Sequence, residues 1–454
     1  MDASHETKQC LMAGFGRRDI TPEESIPLGG FFNSDFRRST NVISHLFVSC
    51  AALTDTDGKT LLMYQYDNVK VKKTITEAVC AYFKEKYGIE RPYIHITATH
   101  SESSPDTTNT AVPCVVRYNE DVIRAMCEAG EEALADRAPA VMEYGETQTE
   151  NLNFVKHYFF GDGQAKGDNH YPITNSTIVC HTTKVDNVMV VLRLKRSGRQ
   201  DIAMVNWRAH NQFTSGGHLT DISADYVGAF CDAAEEMLGC RCLYFQGCCG
   251  NVNPYSRSLR WEERTRDFRE HGRLLAESLA SVWECLTPSA PGPILAKMRV
   301  ITVGLNHTRE ELLPEAKEIV RFWRSTDDAK AGRMLAMTKG IYSVYEAMQI
   351  TERPNRPATE DIEVFAWSVG DIGFASTRYE TFDTNGRFVR ENSPFAATFV
   401  MGYTDGEIGY LPSAYAWDYG CYEADTTFYE RGTAEKVASQ QLQMLVQLKY
   451  QTCP

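Results

Sequence analysis

The 454-residue chain has no run of 18 apolar residues, so no segment reads as a membrane-spanning helix. It also lacks a basic excess. Its formal net charge is -13 and its pI is about 5.4. That balance argues against a nucleic-acid partner, whose phosphates need a basic surface, and against stable adhesion to anionic lipid. The opening MDASHETKQCLMAGFG has no basic segment followed by an apolar one, so no secretory signal is expected and the expected location is cytoplasmic. No internal repeat, low-complexity linker or local H-E-x-x-H zinc motif is present. Cysteine is not scarce, but the 14 residues are scattered through a long chain. Without an export signal, free buried thiols are expected rather than a disulfide framework. Cys240 and Cys242 flank a strand and Cys248 adjoins Cys249, a poor spacing for a zinc knuckle.

What is present is an ordinary globular composition, 43% hydrophobic and 24% charged. LFVSCAALTD from Leu46 and LLMYQYD from Leu61 read as strands. ITEAVCAYFKEKYG then places Ile75, Val79, Tyr82 and Phe83 on one helical face and stops at Gly88. Tyr93–Ala98 reads as the next strand. NVMVVLRLKR, DIAMVNWRAH, CLYFQG and DIEVFAWSVGDIGFAS read as further strands, and DISADYVGAFCDAAEEMLG as a helix. Helical stretches are expected from Trp261 to Leu286, from Arg309 to about Ile350, and from Thr433 to Leu448. The fold class is therefore α/β (α+β), a mixed sheet covered by helices. Charge and composition shift little, so one body spanning 1–454 is expected: a main part over about 1–290 and a smaller portion over about 291–454 that completes the site.

Three strand exits carry metal-type ligands: ITATH ends at His100, AMVNWRAH at His210, and IGFASTRYE at Glu380. Two histidines and a carboxylate leave an open position, the usual pattern of a catalytic zinc, which polarises a carbonyl and lowers the pKa of bound water to roughly 7. Histidines that end strands also serve as hydrogen-bonded structural residues, and both readings stand at this point. The stretch TFVMGYTDGEIGYLPSAYAWDYGCYE, dense in tyrosine and glycine, suits a loop folded over a pocket.

Six stretches in order resemble the neutral/alkaline ceramidase superfamily: AGFGRRDITPEESIPLGGF, ATHSESSPD, RAHNQFT with ISADYVGAF, FQGCCGNVNP, RYETF with SPF, and GYLPSAYAWDYGCYE. The chain resembles a short bacterial-type member without the signal or the immunoglobulin-like C-terminal domain. The resemblance implies a ceramidase-like catalytic domain holding one zinc through His100, His210, Glu380 and Tyr410. It implies Tyr422 as an oxyanion donor, and Lys156, with His157 next to it, in place of a substrate-holding arginine. Two departures matter. Glu102 replaces the family's second histidine; it either acts as base toward the metal's water or caps a turn. Asn253 replaces the family's serine, which leaves attack by water. Asp225 either orients His210 or opens its helix, and His218 reads as a loop residue. The expected activity is zinc-dependent cleavage of an amide, an N-acyl bond, in a soluble small molecule. The alternatives are an ester or lactone on the same site, a non-catalytic relative that kept the pocket, and iron or manganese in place of zinc.

Overall fold

The computed structural model describes residues 10–30, 37–167, 177–214, 218–258, 267–325, 329–406 and 409–451. The long apolar runs build two mixed sheets. The larger contains β1 (Met12–Asp19), β2 (Phe47–Thr54), β3 (Thr60–Tyr66), β4 (Ile94–Ala98), β5 (Ala138–Gln148), β6 (Val188–Arg196), β7 (Ile202–Trp207) and β8 (Arg241–Gln246). Their spatial order is β8-β7-β6-β5-β1-β2-β3-β4, and the short segment Thr287–Pro288 joins beside β5. Only β7/β8 and β3/β4 run parallel. The second sheet is β9 (Ile294–Gly304), β10 (Thr359–Val369), β11 (Ile372–Ser376) and β12 (Ala397–Met401), paired in that order.

Alternation along the strands sets four layers. Cys50, Ala52, Leu62, Tyr64, Ile94 and Ile96 face a helical layer containing Ile75, Val79, Phe83, Val122 and Met126. Their neighbours Ala51, Leu53, Leu61 and Met63 face the second sheet, against Phe365, Trp367, Phe374 and Phe399. On the far side of that sheet, Val364, Ala366, Ala375 and Val400 pack on Val437, Ala438 and Leu445 of the closing helix Thr433–Tyr450. Strands β10 and β11 are apolar on both faces because both are covered, the pattern of an inner layer.

The ends of the large sheet are bridged. The Tyr244 amide in β8 donates to Gln65 Oε1 in β3 at 2.7 Å, and Gln246 Nε2 donates to the Thr99 carbonyl at 3.1 Å. The continuation of β12 fills the gap: Gly402 N donates to Gln246 O and Ala98 N to Tyr403 O, both at 3.0 Å. This closure brings together exits that are far apart in strand order.

The sequence places most elements correctly, with differences at helices. Instead of one stretch from Arg309, there are helices Leu313–Arg324, Ala329–Thr338 and Val344–Glu352. Gly340 turns left-handed (φ 72°), and Ser343 caps the last helix by accepting from the Glu346 amide. The helix expected from Trp261 is described as Phe268–Ala280, capped by the Asp267 side chain, and Trp261 lies outside the described residues. Helix Pro113–Ala135 was not expected; its Val115, Tyr118, Val122 and Met126 stripe starts from a proline at the first turn. Among the described residues no helix is long and apolar enough to cross a membrane, and every cysteine is unpaired.

Candidate metal centre and active site

His100 stands two residues beyond β4, His210 three beyond β7, and Glu380 four beyond β11. The bridged edges bring them together. The His100 backbone is left-handed (φ 60°), a conformation rare for a bulky residue, and it turns the ring inward at the strand exit. His100 Nδ1 donates to the Val69 carbonyl at 2.8 Å and His210 Nδ1 to the Val252 carbonyl at 3.0 Å. Those bonds fix the tautomers and leave both Nε2 lone pairs pointing into the site.

Glu380 is positioned by two further devices. Glycine at 250 lets the Glu380 backbone approach, since a Cβ there would lie 2.1 Å from Glu380 O. Glu380–Thr381 then pairs in parallel with Tyr410–Leu411, setting Glu380 in register with Tyr410. The result is a buried triad in which Glu380 Oε2 is 3.3 Å from His210 Nε2 and 3.6 Å from His100 Nε2. A tetrahedral ion with bonds of about 2.0–2.1 Å has ligand separations of about 3.3–3.4 Å, so the donor set fits zinc. Burial pushes the His100 imidazolium down to about 4, so the ring is a neutral ligand at pH 7. Burial alone would raise the Glu380 carboxyl; its contacts with the His100 and His210 rings and the Lys156 charge outweigh it and hold the carboxyl low.

Tyr410 lies beside this triad, its phenol pushed up by burial and by the Glu380 charge, with the Tyr422 ring 5.8 Å away. The Lys156 ammonium is 5.1 Å from the Tyr410 ring centroid. Glu102 is buried two residues after His100, and among the described residues its carboxyl makes no hydrogen bond. Its backbone is held firmly: its amide donates to Asn211 O at 3.2 Å, and the Arg37 guanidinium binds its carbonyl. Burial, reinforced by the Glu380 charge, pushes the Glu102 carboxyl up to about 8.

Asp225 does not touch His210. It opens helix Asp225–Leu238 and accepts from the Thr214 and Tyr226 amides, both at 2.6 Å, while Val252 O orients His210. His218 is exposed and pairs with Asp221 at 2.8 Å. Asn253 accepts from Gln212 Nε2 at 2.9 Å.

Sequence reasoning missed Tyr403. Its ring lies 4.1 Å from that of His100, and its hydroxyl reaches Glu380 Oε2 at 3.5 Å and Cys249 Sγ at 3.2 Å. It also missed Glu423. His157, Cys421 and Glu423 form a second buried group whose donor atoms all lie within 4.8 Å of one another. Both Glu423 oxygens are occupied there, one by Lys156 Nζ at 2.8 Å and the other by His157 Nε2 at 3.0 Å. An ammonium at that distance repels a dication, so this group is an ion-pair network rather than a second metal centre.

The His100, His210 and Glu380 group is a candidate metal site set at the rim of two stacked mixed sheets. The fold is that of neutral ceramidase. The crystal structure of neutral ceramidase from Pseudomonas aeruginosa matches with a TM-score of 0.74 at 15% identity, over 98% of this chain and 76% of that one. A ceramidase complexed with C2 matches with a TM-score of 0.73 at 15% identity and the same coverage. No protein-family model matches the chain, and no curated protein does.

Proposed function

We propose that the chain is a metal-dependent amidohydrolase that binds one zinc through His100, His210, Glu380 and Tyr410 and cleaves an N-acyl bond of a small molecule. The observation that carries this reading is the buried His100, His210 and Glu380 set, whose donor atoms converge within 4.8 Å of one another, with the buried Glu102 carboxyl close enough to feel the Glu380 charge. When bound, zinc would supply Lewis-acid polarisation of a carbonyl and acidify water.

The chain's own residues divide the remaining work. Glu102 in its ionised form takes the proton of the attacking water and returns it to the leaving amine. Tyr422 and Lys156 donate toward the carbonyl oxygen as it gains charge. Asn253, which stands where the resembled family has serine, offers no nucleophile, so water attacks directly. The solved neighbours are named ceramidases, which favours an amide over an ester. The site draws residues from both the 1–290 and 291–454 portions, which supports a single catalytic body. Unpaired thiols throughout the described residues suit a reducing, cytoplasmic setting.

The test is turnover of an N-acyl 4-nitroanilide and the matching 4-nitrophenyl ester by zinc-loaded protein. Anilide cleavage that disappears in Glu102→Gln is the expected result. Ester cleavage alone favours the esterase alternative, and no turnover of either probe across a range of acyl lengths overturns the hydrolase reading.

A further inference from the structure

Lys156 poses a problem that the proposed activity leaves open. A lysine is a compact charge on a flexible four-carbon stem, and a buried one needs a counter-ion to stay charged and in place. The structure supplies a brace. Lys156 Nζ is 2.8 Å from Glu423 Oε1, while the other Glu423 oxygen accepts from His157 Nε2 at 3.0 Å. His157 Nδ1 in turn meets the Tyr419 hydroxyl at 2.7 Å. The carboxylate is therefore fixed at both ends, and the far end of the chain of contacts is anchored as well. Glycine at 167 makes room for it: a Cβ there would lie 2.9 Å from the His157 ring. The Lys156 backbone is tied to the metal side, its amide donating to Asn251 O at 2.8 Å, next to the Val252 carbonyl that orients His210.

We infer that Glu423 is a positioning residue, which with His157 and Tyr419 holds the Lys156 ammonium over Tyr410 and facing the reacting carbonyl. This rests on the proposed hydrolase reading. The placement is economical: Glu423 follows Tyr422 directly at the start of helix Tyr422–Thr426, so one short element carries an oxyanion donor and the brace for its partner. The Lys156 ammonium stands 5.1 Å from the ring of Tyr410, the residue paired in register with Glu380, which puts it beside the triad. Cys421 lies beside the brace and completes the buried group.

The test is a double-mutant cycle on zinc-loaded protein with Glu423→Gln, Lys156→Met and the double variant. Three readouts are taken: kcat and KM on the anilide, the dissociation constant of methylphosphonate as an anionic probe, and thermal midpoint. Losing one preorganised donor is expected to lower kcat by about 10²-fold for Lys156→Met, and misplacing it by about tenfold for Glu423→Gln, with KM within about twofold in both. The double variant should be no worse than Lys156→Met, and methylphosphonate binding should show the same non-additive weakening. Additive losses overturn the inference. So does coupling seen only in the thermal midpoint, with kcat and methylphosphonate affinity unchanged, and so does a second metal equivalent per chain. Should Glu423→Gln fail to fold, Tyr419→Phe replaces it in the cycle; a several-fold kcat loss that vanishes in the Lys156→Met background supports the brace, and its persistence overturns it. If wild type turns over neither probe, the hydrolase reading falls, and the methylphosphonate cycle alone decides the role of Glu423.

Discussion

The latch that seats Tyr403 against His100 gives the sharpest stability prediction. Asp405, left-handed at φ 62°, accepts from the Ile96 amide at 2.8 Å and from His95 Nδ1 at 2.9 Å, and pairs with Arg91 at 3.2 Å. Its neighbour Thr404 bonds Thr97 at 2.9 Å, so the turn after β12 is fastened to β4. The His95 ring stacks on Trp367 at 3.6 Å, which joins the latch to the core between the sheets. Asp405→Ala strips a partly buried guanidinium of its partner and leaves the Ile96 amide without an acceptor, a loss expected to cost about 3–5 kcal/mol. Asp405→Asn keeps an acceptor for Ile96 but loses the charge, and is expected to cost about 2–3 kcal/mol. Burial opposes the charged form, but Arg91 and the hydrogen bonds outweigh it and hold the Asp405 carboxyl below its ordinary range. A depressed carboxyl contributes in full above its unfolded pKa of roughly 4 and loses that contribution as pH falls further. Denaturant unfolding between pH 7 and pH 3 should therefore show the gap between wild type and Asp405→Asn narrowing below about pH 4. An Asp405→Ala cost below about 1 kcal/mol, or a gap that stays constant with pH, refutes the latch.

Two substitutions at the site follow from the same geometry. Glu102→Gln keeps shape and removes the base; kcat on the anilide should fall by about 10²–10⁴-fold while metal content, measured by elemental analysis, stays at the wild-type level. Gly30→Ala places a Cβ 2.7 Å from Glu102 Cα in a left-handed position (φ 90°), so backbone must move; a stability loss of about 1–3 kcal/mol in denaturant titration and a parallel loss of turnover are expected.

Legibility in the sequence followed the range of the interactions. Period-2 and period-3.6 patterns are local, so β3, β4 and the helices 73–87 and 225–238 could be read directly. Strand exits ending in His100, His210 and Glu380 were visible for the same reason. That these exits meet was not, because it depends on the bridging of β8 to β3 and β4 and on the β12 continuation, contacts between residues separated by more than 140 positions. Tyr403 gave no periodic signal: it sits in a turn held by Asp405, and one tyrosine among 22 does not stand out. Tyr410 and Tyr422 came from resemblance, and the two-residue ladder that aligns Tyr410 with Glu380 is too short to leave a pattern. Glu423 carries no local signal, because its partners Lys156 and His157 lie far away in the chain. The helical region after Arg309 looked continuous because its apolar spacing persists across Gly340 and the Ser343 cap.

The most direct test of the site is metal content by elemental analysis of purified wild type and His210→Ala, each offered zinc and then dialysed. About one zinc per chain in wild type and a large loss in the variant is the expected result, since His210 supplies one of three converging donors whose removal leaves only His100 and Glu380 in the triad. Equal zinc in both proteins, or none in wild type, would contradict a metal centre at His100, His210 and Glu380.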